Sequence, residues 1–334
     1  MKILIIGSKN NIYNLENSYK RAFQFKNIEC EVFDIHTTKS VFLRTLDHSK
    51  VYKIFSNSKI RSLFSYKLNK NLMEYIYEFR PNIIFFFSLN YIFPETINKL
   101  KKNFQIISFL SDDYIFNNSF FRQEVIESLK LININFCFGK KTTKYLSKYA
   151  KSFYLDFAWD NLIKKIPNKN LKRKILFCGH YDNDRFNILK NIIELDNLTI
   201  YGNSKWKIIN DINISTKVNN QLNYRNYIKN SKESLINLNI LRKQNLTCEG
   251  LNMRTFELGG EKCFFLQNYS QEGADLFQAL KKSIFFRNNE ELNFKIKEFS
   301  ENIPLMNETK KKIFKIINSD HKYLDRVNFL LKKL

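Results

Sequence analysis

Glycine, proline and histidine are scarce. The 334 residues hold eight glycines, four prolines and four histidines, with five cysteines and two tryptophans. The few glycines form no GxGxxG fingerprint, and the turn "GSKNN" (7–11) after the first apolar run is not one. No Walker lysine motif occurs either, so nothing supports a dinucleotide or ATP site in the first domain. Cys30, Cys137, Cys178, Cys248 and Cys263 are odd in number and never at CxxC spacing. That pattern excludes a disulfide framework and a zinc site, and reads as reduced, mostly buried thiols. His36, His48 and His321 have no partners at metal spacing and read as structural or exposed. Long apolar runs are also missing: "PNIIFFFSLNYIF" is interrupted and too short to span a bilayer. "MKILIIG" lacks the features of a signal peptide. A soluble cytoplasmic protein is expected.

Acidic residues are few beside basic ones, 32 against 55, for a net charge of +23. Such a charge suits a polyanion, either nucleic acid or an anionic membrane surface. Lysine, asparagine, isoleucine and phenylalanine are all abundant, however, and the lysines are spread along the chain, as AT-rich coding produces. The charge is read mainly as that bias, then as a weak preference for an inner membrane face, and only last as nucleic-acid binding.

What is present is length and alternation. At 334 residues and 44% hydrophobic composition, the chain suits two domains with real cores. "KILIIG" (2–7), "ECEVFDI" (29–35), "NIIFFFS" (82–88), "FQIISFL" (104–110), "INFCFG" (134–139) and "SFYLDFA" (152–158) read as strands. Helical stretches separate them, including a long one over about 57–79 that Arg80-Pro81 stops. The polar, basic "WDNLIKKIPNKNLKR" (159–173) reads as a linker. A second series then begins with the strands "KILFCGH" (174–180), "LTIYGN" (198–203) and "ESLINLNI" (233–240). A loop, a helix over about 252–259, a strand at 263–267 and a helix over about 273–280 follow, and "SIFFRN" (283–288) closes the sheet. Asp182 or Asp184 is the expected N-cap of the helix at 184–195. The expected fold is α/β: two Rossmann-like, doubly wound domains facing each other across a cleft. The expected boundaries are 1–158, a linker at 159–173, 174–318, and a C-terminal helix at 319–334 that packs back on the first domain.

In doubly wound sheets ligands bind beyond the carboxyl ends of the strands. Gly179-His180, Gly202-Asn203 and Arg242 end three strands of the second series. "EGLNMRTFELGGEKCFFLQNYSQEGADLF" (249–277) follows directly, with seven residues between Glu249 and Glu257. Carboxylates accept paired hydrogen bonds from the vicinal hydroxyls of a ribose or hexose. A helix N-terminus offers free N–H groups to a diphosphate, and Arg254 adds charge-assisted hydrogen bonds. Hydroxyl acceptors beside a diphosphate cradle describe a nucleotide-sugar site. The plainer alternative is an ordinary surface pair, Arg254 with Glu257 at i, i+3. In the first domain, Asp112 and Asp113 end a strand. One of them could orient an acceptor hydroxyl or act as base, or both could serve as turn carboxylates. His180 is a candidate for phosphate or sugar, or a loop histidine.

The stretch Asn252, Arg254, Phe256, Glu257, with Asp275, Leu276 and Phe277 after an apolar strand, resembles the donor-domain signature of the CgeB-like glycosyltransferases. This is a GT-B group named for spore maturation proteins. "ILFCGHYDNDRFNIL" resembles the element that opens the donor domain of such enzymes, with Arg185 in the arginine position. "LTIYGNSKW" and "ISFLSDDY" resemble two further elements. Two departures stand out: Gly259-Gly260 come early, leaving Glu261-Lys262 before the strand, and a tyrosine follows "SDD".

The resemblance implies a glycosyltransferase that takes a nucleotide-diphosphate sugar, with no cofactor and no bound metal. Its donor-site residues would be Gly179, His180, Arg185, Gly202, Asn203, Arg242, Asn252, Arg254 and Glu257. Glu249 would approach the donor sugar and Glu257 hold the ribose, an E-x7-E pattern that implies retention of configuration. The acceptor would be a glycan, a lipid-linked molecule or a protein. Three rivals remain open: an inverting transferase with Asp112 or Asp113 as base, a nucleic-acid-binding α/β protein, and a GT-B-shaped binder without catalysis.

Overall fold

A computed structural model describes residues 1–9, 11–36, 59–116, 122–167, 170–209 and 211–334. His48 and the first residues of the expected 57–79 helix lie outside the described residues. The chain divides into two compact units, Met1–Asp156 and Phe157–Leu334.

In the first unit, β1 (Lys2–Gly7), α1 (Leu15–Phe25), β2 (Glu29–Asp34), α2 (Lys59–Phe79) and β3 (Ile83–Phe86) come in order. Then come α3 (Pro94–Leu100), β4 (Gln105–Leu110), α4 (Arg122–Leu131), β5 (Ile134–Cys137), α5 (Lys140–Leu146) and β6 (Lys151–Tyr154). The strands form one sheet in the order β2-β1-β3-β4-β5-β6, and every pairing is parallel. Continuous apolar runs such as "KILIIG" form buried strands because helices cover both faces of a parallel sheet. Ile3, Leu4, Ile5 and Ile6 are all fully buried. One face packs Tyr19 and Phe23 of α1 against Phe85, with Phe87 and Phe109 beside them. The other face packs Leu68, Leu72 and Ile76 of α2.

The second unit opens with β7 (Arg173–Cys178), α6 (Asn183–Leu189), β8 (Leu198–Gly202), α7 (Ile212–Ser215) and β9 (Val218–Asn220). It continues with α8 (Tyr224–Lys232), β10 (Ser234–Asn239), α9 (Lys243–Cys248), α10 (Met253–Gly260), β11 (Phe265–Asn268), α11 (Gln271–Leu276), α12 (Lys281–Ile284) and β12 (Phe285–Phe286). Helices α13 (Asn289–Glu301), α14 (Ile303–Asp320) and α15 (Tyr323–Lys333) complete it. Its sheet runs β12-β11-β10-β7-β8-β9, all parallel. Counted within the unit this is the doubly wound order 3-2-1-4-5-6, and the chain reverses direction across the sheet between β7 and β10.

The segment expected as a linker starts inside this second unit. Trp159 donates its backbone N–H to the His321 carbonyl at 2.9 Å, and Tyr323 donates back to the Trp159 carbonyl at 3.2 Å. Arg326 donates through Nε and Nη2 to the Phe157 carbonyl, at 3.2 and 3.0 Å. The C-terminal helix α15 is thus held by residues 157–159.

The glycine pair at the end of α10 has a packing cause. A Cβ on Gly259 would meet Ile317 at 2.7 Å, and one on Gly260 would meet the Trp159 ring at 2.2 Å. The departure at Glu261-Lys262 forms an ordinary helix stop. Cys263 N–H donates to the Leu258 carbonyl at 2.8 Å and Lys262 N–H to that of Gly259 at 3.2 Å. This is a Schellman closure with Lys262, at φ 59°, in the place usually given to glycine. Glu261 accepts from Trp159 Nε1 at 3.2 Å and pairs with Lys232 at 2.8 Å, all three buried or nearly so.

Candidate functional site

The reversal between β7 and β10 brings two chain crossings together: Gly179-His180 after β7, and Ile240 to Arg242 after β10. Asp182 caps α6 by accepting from the Arg185 N–H at 2.9 Å, which selects it over Asp184. The cap sets Arg185 beneath the strand ends, where it is only 3% exposed. Its Nε and Nη2 donate to the Ile240 carbonyl at 3.2 and 2.7 Å, and its Nη1 to the His180 carbonyl at 3.1 Å. Arg185 therefore ties the end of β7 to the end of β10. It gives the site charge and position, while most of its own hydrogen-bonding capacity is spent on backbone.

Two further arginines converge there. Burial lowers the pKa of Arg185 to about 9, and the positive charges of Arg254 and Arg242 push it the same way against Asp182. His180 is held below its ordinary value by burial first, then by Arg242, with Arg254 and Arg185 adding to it, while a hydrogen bond with Gln221 opposes. Three guanidiniums near one imidazole at a strand crossing make a strongly positive cluster suited to an anion. Arg242 and Arg254 are half-buried, and the Arg254 guanidinium lies 5.6 Å from the Tyr227 ring centre.

Gly179 and Gly202 end the neighbouring strands β7 and β8. Gly179 accepts from Trp206 Nε1 at 2.8 Å and donates to the Tyr201 carbonyl at 2.8 Å. A Cβ on Gly202 would lie 2.4 Å from the Trp206 ring and 2.5 Å from the Gly179 carbonyl oxygen. A Cβ on Gly179 would lie 2.6 Å from the Phe177 ring, so Gly179 is held by side-chain crowding and Gly202 by close approach of both backbone and ring. Asn203 accepts from the Tyr181 N–H at 3.0 Å, which folds the two strand-end turns onto each other.

Asn252 is the N-cap of α10, accepting from the Thr255 N–H at 3.0 Å. It also joins a buried polar network. Asn239 at the end of β10 donates to Thr255 Oγ1 (3.0 Å) and Gln267 Oε1 (2.7 Å), and Asn252 Nδ2 donates to Asn239 Oδ1 at 2.8 Å. The network fixes the start of α10 against β10 and β11. Sequence reasoning named Asn252 and missed Asn239, Thr255 and Gln267, whose ordinary residue types carry no local signal.

Glu257 follows Arg254 by one turn of α10. It is 8% exposed, and burial raises its pKa to about 7, with Glu261 adding to the rise and Arg254 opposing it. Among the described residues its carboxylate has no hydrogen-bond donor and closes no ion pair with Arg254. The nearby Tyr227 hydroxyl is likewise buried without a partner. A buried carboxylate and phenol without partners in the protein suit a polar ligand. Glu249 is exposed, and at φ 56°, ψ 61° it adopts the left-handed conformation at the end of α9. Gly250 N–H donates to the Asn245 carbonyl at 3.0 Å and Glu249 N–H to that of Leu246 at 3.3 Å, a helix stop like that at Lys262, in which a non-glycine residue costs about 1 kcal/mol or more. Glu249→Gly is expected to raise stability by about 1 kcal/mol in denaturant unfolding while lowering activity.

In the first unit the structure places Asp113 in a turn. Its Oδ1 accepts from the N–H groups of Ile115 (3.1 Å) and Phe116 (2.7 Å), which is the turn-carboxylate alternative. Asp112 is exposed beside Tyr114, whose pKa burial raises to about 12, Asp112 adding to it. Sequence reasoning passed over Glu16. This carboxylate accepts from the Ser8 N–H at 2.8 Å at the end of β1, and burial is the first cause of its raised pKa.

Among the described residues no group of three or more His, Cys, Asp or Glu side chains could hold a metal ion. No described helix is long and apolar enough to cross a membrane.

Residues 185–332 match the glycosyl transferase-like family. The span begins at the arginine beneath the strand ends and contains the whole 249–277 stretch. No curated protein matches the chain. Among solved structures, sucrose-phosphate synthase from Thermosynechococcus elongatus is similar at TM-score 0.70 and 8% identity, covering 100% of this chain and 98% of that one. The T4 phage β-glucosyltransferase bound to UDP and Mn2+ has TM-score 0.62 and 13% identity, over 99% of each chain. A trehalose-6-phosphate protein from E. coli bound with UDP-2-fluoro glucose has TM-score 0.64 and 10% identity, over 99% and 98%. The fold is GT-B, and residues 185–332 of the chain are glycosyl transferase-like.

Proposed function

We propose that the chain moves a sugar from a nucleotide-diphosphate donor, bound by the second unit, to a glycan, lipid-linked or protein acceptor. One observation carries this reading: Arg185, Arg242 and Arg254 converge at the β7–β10 reversal, with the partnerless Glu257 carboxylate one turn beyond Arg254. Arg242 and Arg254 hold the diphosphate and stabilise the charge that develops as it departs. Asn252 supports them by fixing the start of α10. Glu257 accepts from the ribose hydroxyls and Glu249 approaches the donor sugar. Gly179, His180, Gly202 and Asn203 form the turns that line the donor. The bound UDP and UDP-sugar of two of the similar structures make UDP the first nucleotide to try. We assign the chain to the CgeB-like group, working without a bound metal, in the cytoplasm, with retention of configuration. The turn role of Asp113 favours retention over an inverting Asp113 base; Asp112 is the base an inverting enzyme would use. NMR of the product anomer decides.

The test is a thermal-shift panel of UDP, ADP and GDP and their sugars. One diphosphate at a hundredfold excess over its Kd is expected to stabilise the wild type by about 2.7 kcal/mol. In Glu257→Ala most of that shift disappears. If no nucleotide diphosphate stabilises the wild type, the reading fails. Chelator added to the assay should leave the shift unchanged if no metal takes part.

A further inference from the structure

The opposite ends of the second sheet's strands carry a pocket. A cavity of about 580 Å³ opens where β10 begins and where the chain enters β11, the far ends of the strands from the arginine cluster. Its volume is that of a small-molecule site. Helix α14 forms one wall, presenting Ile303, Met306, Asn307, Lys310, Lys311 and Phe314 along a single face. Phe264 and Leu235 also line the cavity. At the mouth, Leu171 is 55% exposed and Ile303 38%, so apolar side chains face outward there.

The charge on this wall is of one sign. Four lysines line the cavity and no aspartate or glutamate does. Lys232 is neutralised by Glu261 at 2.8 Å. Lys262, Lys310 and Lys311 have no carboxylate within ion-pairing distance among the described residues. On the same helix, Lys312 pairs with Glu308 at i, i+4, outside the cavity. Lys310 is half-buried beside the thiol of Cys263. Lys262 and Lys311 are exposed at the mouth, Lys262 lying 4.5 Å from the Phe314 ring centre, so the half-buried Lys310 is the partly desolvated ammonium that an anion would favour. The Ser231 hydroxyl is also buried in the lining, without a hydrogen-bond partner.

We propose that this pocket takes one anionic membrane lipid, its phosphate among Lys262, Lys310 and Lys311 and the start of an acyl chain along Met306, Phe314 and Phe264. Apolar walls with uncompensated ammoniums match an amphiphilic anion; a soluble phosphate would leave the apolar walls and the exposed Leu171 and Ile303 uncovered. The site shares no residue with the arginine cluster, so it stands independently of the donor reading.

The test is flotation of the full chain with vesicles of phosphatidylcholine alone, or of phosphatidylcholine mixed with phosphatidylglycerol. The wild type is expected to bind only the mixed vesicles. Lys310→Gln with Lys311→Gln should lower that binding about thirtyfold, the effect of two lysines at an anionic surface. Lys312→Gln with Lys315→Gln, on the same helix beyond the pocket, should keep most of it, and Ile303→Asp should lower it without changing a lysine. Equal losses in both lysine pairs would show diffuse surface charge and overturn the proposal. So would full competition by inorganic phosphate at equal ionic strength, or no binding to mixed vesicles. Thermal shift with UDP in the same samples checks that each variant folds and keeps its donor response separate.

Discussion

Replacing Glu257 with glutamine is expected to weaken binding of the stabilising nucleotide diphosphate at least about a hundredfold in isothermal titration, because the role proposed for it loses two charge-assisted hydrogen bonds to the ribose. The same change should stabilise the unliganded protein at neutral and alkaline pH. In the unfolded chain this carboxyl titrates near 4.5, and in the folded chain at about 7. Between those values the folded state holds a proton that the unfolded state has released, so stability falls as pH rises from about 4.5 to about 7. Above that window the loss is complete, at most about 3 kcal/mol. Donor binding runs the other way: ribose hydroxyls need the ionised acceptor, so affinity rises with pH and levels off above 7. Denaturant unfolding of wild type and Glu257→Gln at pH 5 and pH 8 checks the first slope. Wild-type titrations with nucleotide at the same two pH values check the second. A wild type equally stable at both pH values, matched by the variant, would remove Glu257 from the account.

Gly202→Ala should destabilise the second unit by about 3 kcal/mol or more in denaturant unfolding, the upper range for forced overpacking. The added methyl would meet a ring atom of Trp206 at 2.4 Å and the Gly179 carbonyl oxygen at 2.5 Å. The ring can turn only by losing its hydrogen bond to that same oxygen, and the backbone carbonyl cannot move without shifting the end of β7. Donor binding should fall with stability, since the turn carrying His180 shifts. Gly7→Ala is the milder comparison: its methyl would meet the Glu16 side chain, which can move.

The strands were legible because burial on both faces writes itself as an unbroken apolar run, as in "KILIIG" and "IIFF". β9 was not, because "VNN" is a polar edge strand whose residues are half-buried or exposed. Arg185 entered only through the family resemblance, while Asp182 could be picked out as an N-cap candidate, and Arg254 and Glu257 as charged groups beside a helix start. Their partners could not. The Ile240 carbonyl that accepts from Arg185 lies 55 residues away, and Gln267 meets Asn239 across 28. Distances of that kind belong to the sheet order, not to local spacing. The polar stretch at 159–173 hid Trp159, whose ring has its place only once Gly260 and Glu261 have come round to it.

The pairing of residues 157–159 with His321, Tyr323 and Arg326 bears on how the chain is made. The first unit is closed once β6 has left the ribosome, and it can fold while synthesis continues. The second cannot, because its opening residues wait for partners more than 150 positions downstream. For about half of translation, from Trp159 to Arg326, the ring of Trp159 and the buried strands after it have no finished surface to join. That interval is when this basic, phenylalanine-rich chain most needs a chaperone.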